Sequence, residues 1–139
     1  SAQDGFNPHI LMLSPPLSMK GKWFKPHLAY TMAKYGMSMC VLGLAEELKR
    51  DGIGVNALWP RTAIDTAALA MIPGVDTEFC RTPEILSDSA YIIFNRSAKE
   101  CTGNFFIDDE LLASEGITDL EKYSVVPGTK DFIQDLFID

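Results

Sequence analysis

No apolar run in the 139 residues reaches the roughly 18 that a membrane span requires, so no span is expected. No block of lysine or arginine stands out. Twelve basic residues face 19 acidic ones, a net charge of -7. That balance argues against a partner such as nucleic acid or an anionic membrane surface. The most basic stretch, Lys20 to Lys25, is short and reads as a solvated loop. Cysteine is scarce: Cys40, Cys80 and Cys101 form an odd set with no C-x-x-C pair. This predicts free thiols in a reducing compartment. Cys40 lies in an apolar helical stretch and is expected to be packed. His9 and His27 are far apart, with no cysteine at ligand spacing, so no metal site is expected. No secretory leader is read at the start of the chain.

What is present suits a folded domain. The chain is 47% hydrophobic and 22% charged, the range of ordinary globular proteins rather than disordered ones. Its length suits one small domain over residues 1–139, not two. His9 to Ser14, ended by Pro15 and Pro16, suits a buried strand. Leu28 to Arg50 predicts one long helix. Met37, Val41, Leu44 and Leu48 recur at helical spacing, and Asp51-Gly52 closes it. Lys49 and Arg50 would oppose the negative end of the helix dipole. Ile53 to Trp59 predicts a second strand stopped by Pro60. A loop with a short helical piece follows, to about Met71. A second helix is expected behind Thr82 as N-cap, with Pro83 and Glu84 in its first turn. Asn104 to Asp109 reads as a third strand. The acidic-apolar stretch Asp131 to Asp139 is expected to lie on the surface. Strands alternating with helices imply a parallel α/β sheet. Two main helices would cover its faces poorly, so the chain reads as though cut from something larger.

Gly52 to Ala57, "GIGVNA", matches the dinucleotide fingerprint G-x-G-x-x-[GA]. The match is rejected. A true fingerprint follows a strand and opens a helix, whereas these glycines follow a helix and open a strand. Gly52 reads better as a helix stop.

Tyr30 and Lys34 sit four residues apart, hence on one helix face. A free tyrosine has a pKa of about 10, too high for easy proton exchange near neutrality. A nearby cation lowers it, so the pair can form an acid-base group. Alone the pair is a weak signal, and its bland reading is two residues on a helix surface.

The stretches "HILMLSPPL", "AYTMAKYGMSMCVLGLAEEL", "GVNALWPRTAIDTAA" and "TGNFFIDDELL" follow one another in order. In these the chain resembles the C-terminal half of the short-chain dehydrogenase/reductase family, most closely its hydroxysteroid dehydrogenase-like group. The resemblance implies the C-terminal half of a Rossmann-type doubly wound parallel sheet, with about three strands and flanking helices. It implies NAD or NADP as cofactor and an apolar alcohol or carbonyl as substrate. Tyr30 would be the catalytic acid-base. Lys34 would lower its pKa and bond the nicotinamide ribose. The family's serine, usually second of a Ser-Ser pair, meets Ser14-Pro15 here. Ser14 is the first candidate to orient the substrate oxygen and Ser18 the second, with turn and loop roles as their bland alternatives. The family's Pro-Gly reads Pro60-Arg61. Pro60, Thr62, Ile64 and Thr66 would lie near the nicotinamide. Asn56 reads as a structural hydrogen-bonding residue. Met32, Met37, Met39 and Met71 could line an apolar pocket, with core packing the commoner role for methionine.

The family's Gly-rich loop and catalytic asparagine belong to the first half of its domain. The chain is therefore expected to be the catalytic half of a longer enzyme, inactive by itself. In this family the Tyr-Lys helix often packs between subunits, so a homo-oligomer is expected. Animal members of the group are linked to peroxisomes. A peroxisomal Ser-Lys-Leu ending is not read here, which favours the cytoplasm, with peroxisome or mitochondrion as alternatives. The competing reading is a non-catalytic homologue that binds an apolar ligand or serves assembly. It draws on the Ser-to-Pro and Gly-to-Arg departures.

Overall fold

The computed structural model describes residues 5–139. Three strands, β1 (His9–Met12), β2 (Gly54–Trp59) and β3 (Phe105–Ile107), form one parallel sheet in the order β1-β2-β3. His9 pairs with Gly54 and Met12 with Ala57, while Ala57 also aligns with Phe105. The crossover from β1 to β2 is α1 (Leu28–Glu47). The crossover from β2 to β3 holds α2 (Ala67–Ala70) and α3 (Glu84–Asn95), and α4 (Asp108–Ser114) follows β3.

All six residues of β2 are buried, as a central strand covered on both faces requires. Side chains alternate between faces along a strand. Val55 and Ala57 therefore pack with Val41 and Ala45 of α1. Leu58 packs on the other face with Ile93 of α3 and Leu111 of α4. Helices on both faces make this the doubly wound arrangement that the family resemblance implies. Each fully buried side chain of this size contributes about 2 kcal/mol. Among the described residues β1 has no strand on its far side.

The glycines of "GIGVNA" have structural explanations. Gly52 has φ +68° and turns the chain out of a 3-10 turn at Lys49–Asp51. A Cβ on Gly54 would stand 2.6 Å from the carbonyl oxygen of Cys101 and 3.0 Å from that of Ala98. Asn56, fully buried, donates to Cys101 O at 2.9 Å and accepts from Asn104 N and Nδ2 at 3.1 and 2.9 Å. It knits β2 to the loop before β3, a structural role as expected.

Several boundaries differ from expectation. β1 stops at Met12, because the Leu13 carbonyl is taken by Lys34 and two prolines follow. α1 ends at Glu47, so Lys49 and Arg50 belong to the 3-10 turn. α3 begins at Glu84 behind Pro83, and the amide of Thr82 is spent on Tyr123 O at 2.7 Å. β3 is only three residues long; Asp108 and Asp109 open α4 instead of extending it. Asp-Asp-Glu in a first turn complements the helix dipole, which explains the switch.

Two burial expectations are overturned. Cys40 is exposed, because the inward stripe of α1 is Thr31, Tyr35, Ser38, Val41 and Ala45. The stretch ending at Asp139 is not a surface appendage. Phe137 and Ile138 are buried with Tyr35, Trp59 and Ile107. Their partners come from separate segments that meet only in the fold.

Candidate active site

The carboxyl ends of β1 and β2 meet the start of α1. In open α/β sheets this is where ligands bind. Lys34, in the second turn of α1, donates from Nζ to Leu13 O at 3.2 Å. Its ammonium also lies 5.5 Å from the centre of the Trp59 ring, a cation–π distance. This places Lys34 beside Ser14, the next residue, and one turn beyond Tyr30. Ser14 is fully buried and its Oγ has no hydrogen-bond partner. The turn that carries it is fastened by Ser38 Oγ, which donates to Pro15 O at 2.6 Å. Ser18 differs: its hydroxyl accepts from Lys20 N at 3.2 Å, a local turn bond.

Tyr30 remains partly exposed. The His27 ring meets it edge-on at 5.8 Å, and Phe137 stacks on it at 6.1 Å. Thr31 holds the helix start in place, donating to Trp23 O at 2.6 Å. Burial, followed by the negative charge of Asp135, pushes the Tyr30 phenol above its ordinary value.

After β2, Pro60, Thr62 and Ile64 are buried, and Thr62 Oγ1 lacks a partner. Arg61, standing where the family has glycine, is held by the first turn of α4. It binds Asp109 at 2.6 Å and Glu110 at 2.7 Å, while its amide donates to Asp108 Oδ1 at 3.0 Å. Thr66 is exposed and caps α2 by accepting from Leu69 N at 3.3 Å. The four methionines gather neither in the core nor in a shared pocket. Met32, Met39 and Met71 are exposed, and Met37 is half-buried.

Buried, unpartnered hydroxyls on Ser14 and Thr62 at the ends of adjacent strands fit a polar ligand such as a nicotinamide nucleotide. An unsatisfied buried hydroxyl is otherwise destabilising. Sequence reasoning missed three residues: Trp59, whose ring faces Lys34, Phe137, which stacks on Tyr30, and Asp135, whose charge raises the Tyr30 phenol. Trp59, the last residue of a strand and followed by proline, could have been noticed at the sheet's carboxyl end. Asp135 and Phe137 had no local signal.

No family model matches the chain. It is 57% identical over 133 residues to hydroxysteroid dehydrogenase-like protein 2 of Xenopus tropicalis, and 54% identical over 134 residues to the Danio rerio protein of that name. These matches cover 94% and 96% of the chain but 31% and 32% of the relatives. The chain thus spans about a third of the length of the curated relatives it matches. Among solved structures, a putative dehydrogenase from Xanthomonas campestris superposes with a TM-score of 0.90 at 50% identity. It is covered over 48% of its chain, against 96% of this one. A short-chain dehydrogenase from Mycobacterium thermoresistibile gives 0.85 at 45% identity with the same coverage. The angucycline C-6 ketoreductase LanV, solved with bound NADP, gives 0.55 at 21% identity over 72% of this chain and 41% of its own, a likeness of fold. By these likenesses and by its parallel, doubly covered sheet, the chain is homologous to about a third of hydroxysteroid dehydrogenase-like protein 2 and has the fold of about half of a short-chain dehydrogenase.

Proposed function

We propose that this chain is the acid–base half of an NAD(P)-dependent oxidoreductase that interconverts an alcohol and a carbonyl. The observation that carries the reading is Lys34, one helical turn beyond Tyr30, bonded at the carboxyl end of β1 to the carbonyl of the residue before the buried, unpartnered Ser14. The nicotinamide, when bound, exchanges a hydride with the substrate carbon. Tyr30 gives its proton to the substrate oxygen in reduction and takes it back in oxidation. Ser14 Oγ, buried and free, orients that oxygen. The lowering of the Tyr30 phenol by Lys34 that the resemblance implied is not seen, since burial and Asp135 raise it, and Lys34 would instead hold the nicotinamide ribose. Pro60, Thr62 and Ile64 would line the nicotinamide's side of the site. The phosphate-binding half of the domain is assigned to sequence outside this chain, and the 139 residues alone are expected to be inactive.

The Xanthomonas and Mycobacterium proteins, a putative dehydrogenase and a short-chain dehydrogenase, support the reaction class. The outer face of α1 exposes Met32, Met39 and Leu42, which supports a homo-oligomer. The test is NAD(P)H consumption by the complete protein across a panel of carbonyls, with cofactor binding measured alongside. Turnover of at least one carbonyl supports the enzyme. Cofactor binding without turnover of any supports the second reading, a non-catalytic homologue, which draws on Pro15 and Arg61 at positions where the family has serine and glycine.

A further inference from the structure

Residues 133–139 form a strap along the loop that follows β2. Ala63 N donates to Ile133 O at 2.8 Å and Asp135 N donates to Arg61 O at 2.9 Å, with Thr62 opposite Gln134 in antiparallel register. Ile133 N also donates to Phe79 O at 3.0 Å. Further along, Trp59 Nε1 donates to Leu136 O at 2.8 Å, and Gln134 Nε2 donates to Ile138 O at 3.0 Å. The carboxylate of Asp139 binds Lys20 at 3.0 Å and Lys22 at 2.9 Å, in the loop before α1, and accepts from Trp23 Nε1 at 3.3 Å. The strap thus joins the loop after β2 to the loop before α1.

Phe137 sits between these fastenings. Its φ of +68° is the one positive value among the described non-glycine residues. For a bulky side chain that backbone is an outlier, and it persists only where the surroundings over-determine it. Here the bonds to Leu136 O and Ile138 O grip the chain on either side of it. The turned residue is 3% exposed, and its ring meets those of Tyr35 at 5.1 Å, Trp59 at 5.9 Å and Tyr30 at 6.1 Å. Tyr30 itself stands in the first turn of α1 and is 43% exposed, so enclosure alone does not lock it. An aromatic side chain on a helix has two χ1 wells open to it. Two rings bear on the choice. His27 meets Tyr30 edge-on at 5.8 Å, but it is the N-cap of the same helix and so gives no outside reference. Phe137 lies parallel to Tyr30 within 10°, at a centroid distance in the range of offset stacking, and comes from the strap.

We propose that Phe137 is a positioning residue for Tyr30, its ring stacked on the phenol ring from the strap so that Tyr30 keeps one of its two helical rotamers. The proposal rests on the reading of Tyr30 as the acid–base group. Its consequence is geometric. The strap that carries Phe137 is also paired with Arg61 and Ala63, in the loop assigned to the nicotinamide's side of the site. One segment therefore holds the proton-transferring ring and that loop in fixed relation. A small displacement of a reacting group is enough to lower a rate without loosening binding elsewhere.

The test uses the complete protein, isotope-labelled, with the χ1 rotamer of Tyr30 read by NMR from three-bond couplings to its Cγ and assigned through Tyr30→Phe. The parent is expected to show one rotamer. Phe137→Leu, which keeps an apolar side chain but no ring, is expected to show averaged couplings and about tenfold lower kcat, with KM for the nicotinamide unchanged. Ile138→Ala trims a buried neighbour in the same cluster that makes no ring contact with Tyr30, and leaves both readouts at parental values. A merely structural role would move the two variants alike. Averaged couplings in the parent, an unmoved rotamer in Phe137→Leu, or equal averaging in Ile138→Ala overturns the proposal. Parental kcat in a Phe137→Leu protein whose Tyr30 is averaged overturns it too. If Phe137→Leu fails to fold, Phe137→Met takes its place under the same criteria. The couplings are read without turnover. An inactive protein with these coupling changes contradicts the enzymatic reading alone, and an active one without them contradicts the role of Phe137 alone.

Discussion

The ring of Phe137 lies nearly parallel to that of Tyr30, with centroids 6.1 Å apart and planes inclined by 10°. The two residues are 107 positions apart in the chain, and the contact joins the strap to the head of α1. Phe137 also packs on Tyr35, Trp59 and Trp23, so it is both core and site wall. Phe137→Ala removes a fully enclosed ring and is expected to destabilise the protein by about 3 kcal/mol. Phe137→Leu, which keeps most of the volume, should cost clearly less. Urea denaturation midpoints of the two variants check the order.

Gly54→Ala tests the second explanation given for the "GIGVNA" glycines. Its Cβ would meet the Cys101 carbonyl at 2.6 Å, and backbone cannot swing aside as a side chain can. A loss of about 2 kcal/mol or more is expected. Gly52→Ala must hold φ +68°, for about 1 kcal/mol. The ranking of the two midpoints distinguishes close approach from backbone strain.

Asn56→Ala leaves the Cys101 carbonyl and the Asn104 amide without these partners inside the fold, while Asn104 Nδ2 keeps Thr102 O at 3.3 Å. Unpaired buried polar groups cost about 1–3 kcal/mol each, so a loss of about 3 kcal/mol is expected by denaturant titration. Cofactor affinity of the folded fraction should be unaffected, since Asn56 lies within β2 and away from its carboxyl end.

Asp135 makes stability depend on pH with an unusual sign for a carboxylate. Its folded-state pKa is pushed up to about 6, above the ordinary value of 3.8, so the folded protein holds this proton more tightly than the unfolded chain. Between pH 3.8 and 6 the contribution of this group to stability falls as pH rises, and above 6 the full penalty is present. Asp135→Asn should therefore raise the thermal midpoint at pH 7. The gain should shrink as pH falls through 6 and vanish near 4. Melting curves of both proteins at pH 4, 5, 6 and 7 measure this. A charge kept at the expense of stability is characteristic of functional sites.

The element order was legible in the residues because β2 is a largely apolar run between a glycine stop and a proline, and the helical stretch before it, α1 with its 3-10 turn, ends at the same glycine. The family stretches then pointed to Tyr30, Lys34 and Ser14 as candidates, and the fold bonds Lys34 to the carbonyl next to Ser14. α1 was harder to orient. It carries apolar residues on both faces, so spacing could not show that Thr31 and Ser38 point inward while Met32, Met39 and Cys40 point out. Asp108 was read into β3 although Asp108, Asp109 and Glu110 together form an N-terminal helix signal. The strap was illegible for a physical reason. Alternating acidic and apolar residues suit an exposed edge, and burial of Phe137 depends on Trp23, Tyr35 and Trp59, which lie 78 to 114 positions earlier in the chain.

The central claim is that Tyr30 moves the proton. The direct measurement is Tyr30→Phe in the complete protein, comparing NAD(P)H-linked turnover and cofactor affinity with the parent. The account expects turnover to fall about a thousandfold, the scale of a lost general acid, with cofactor affinity unchanged. Near-parental turnover in Tyr30→Phe would contradict it.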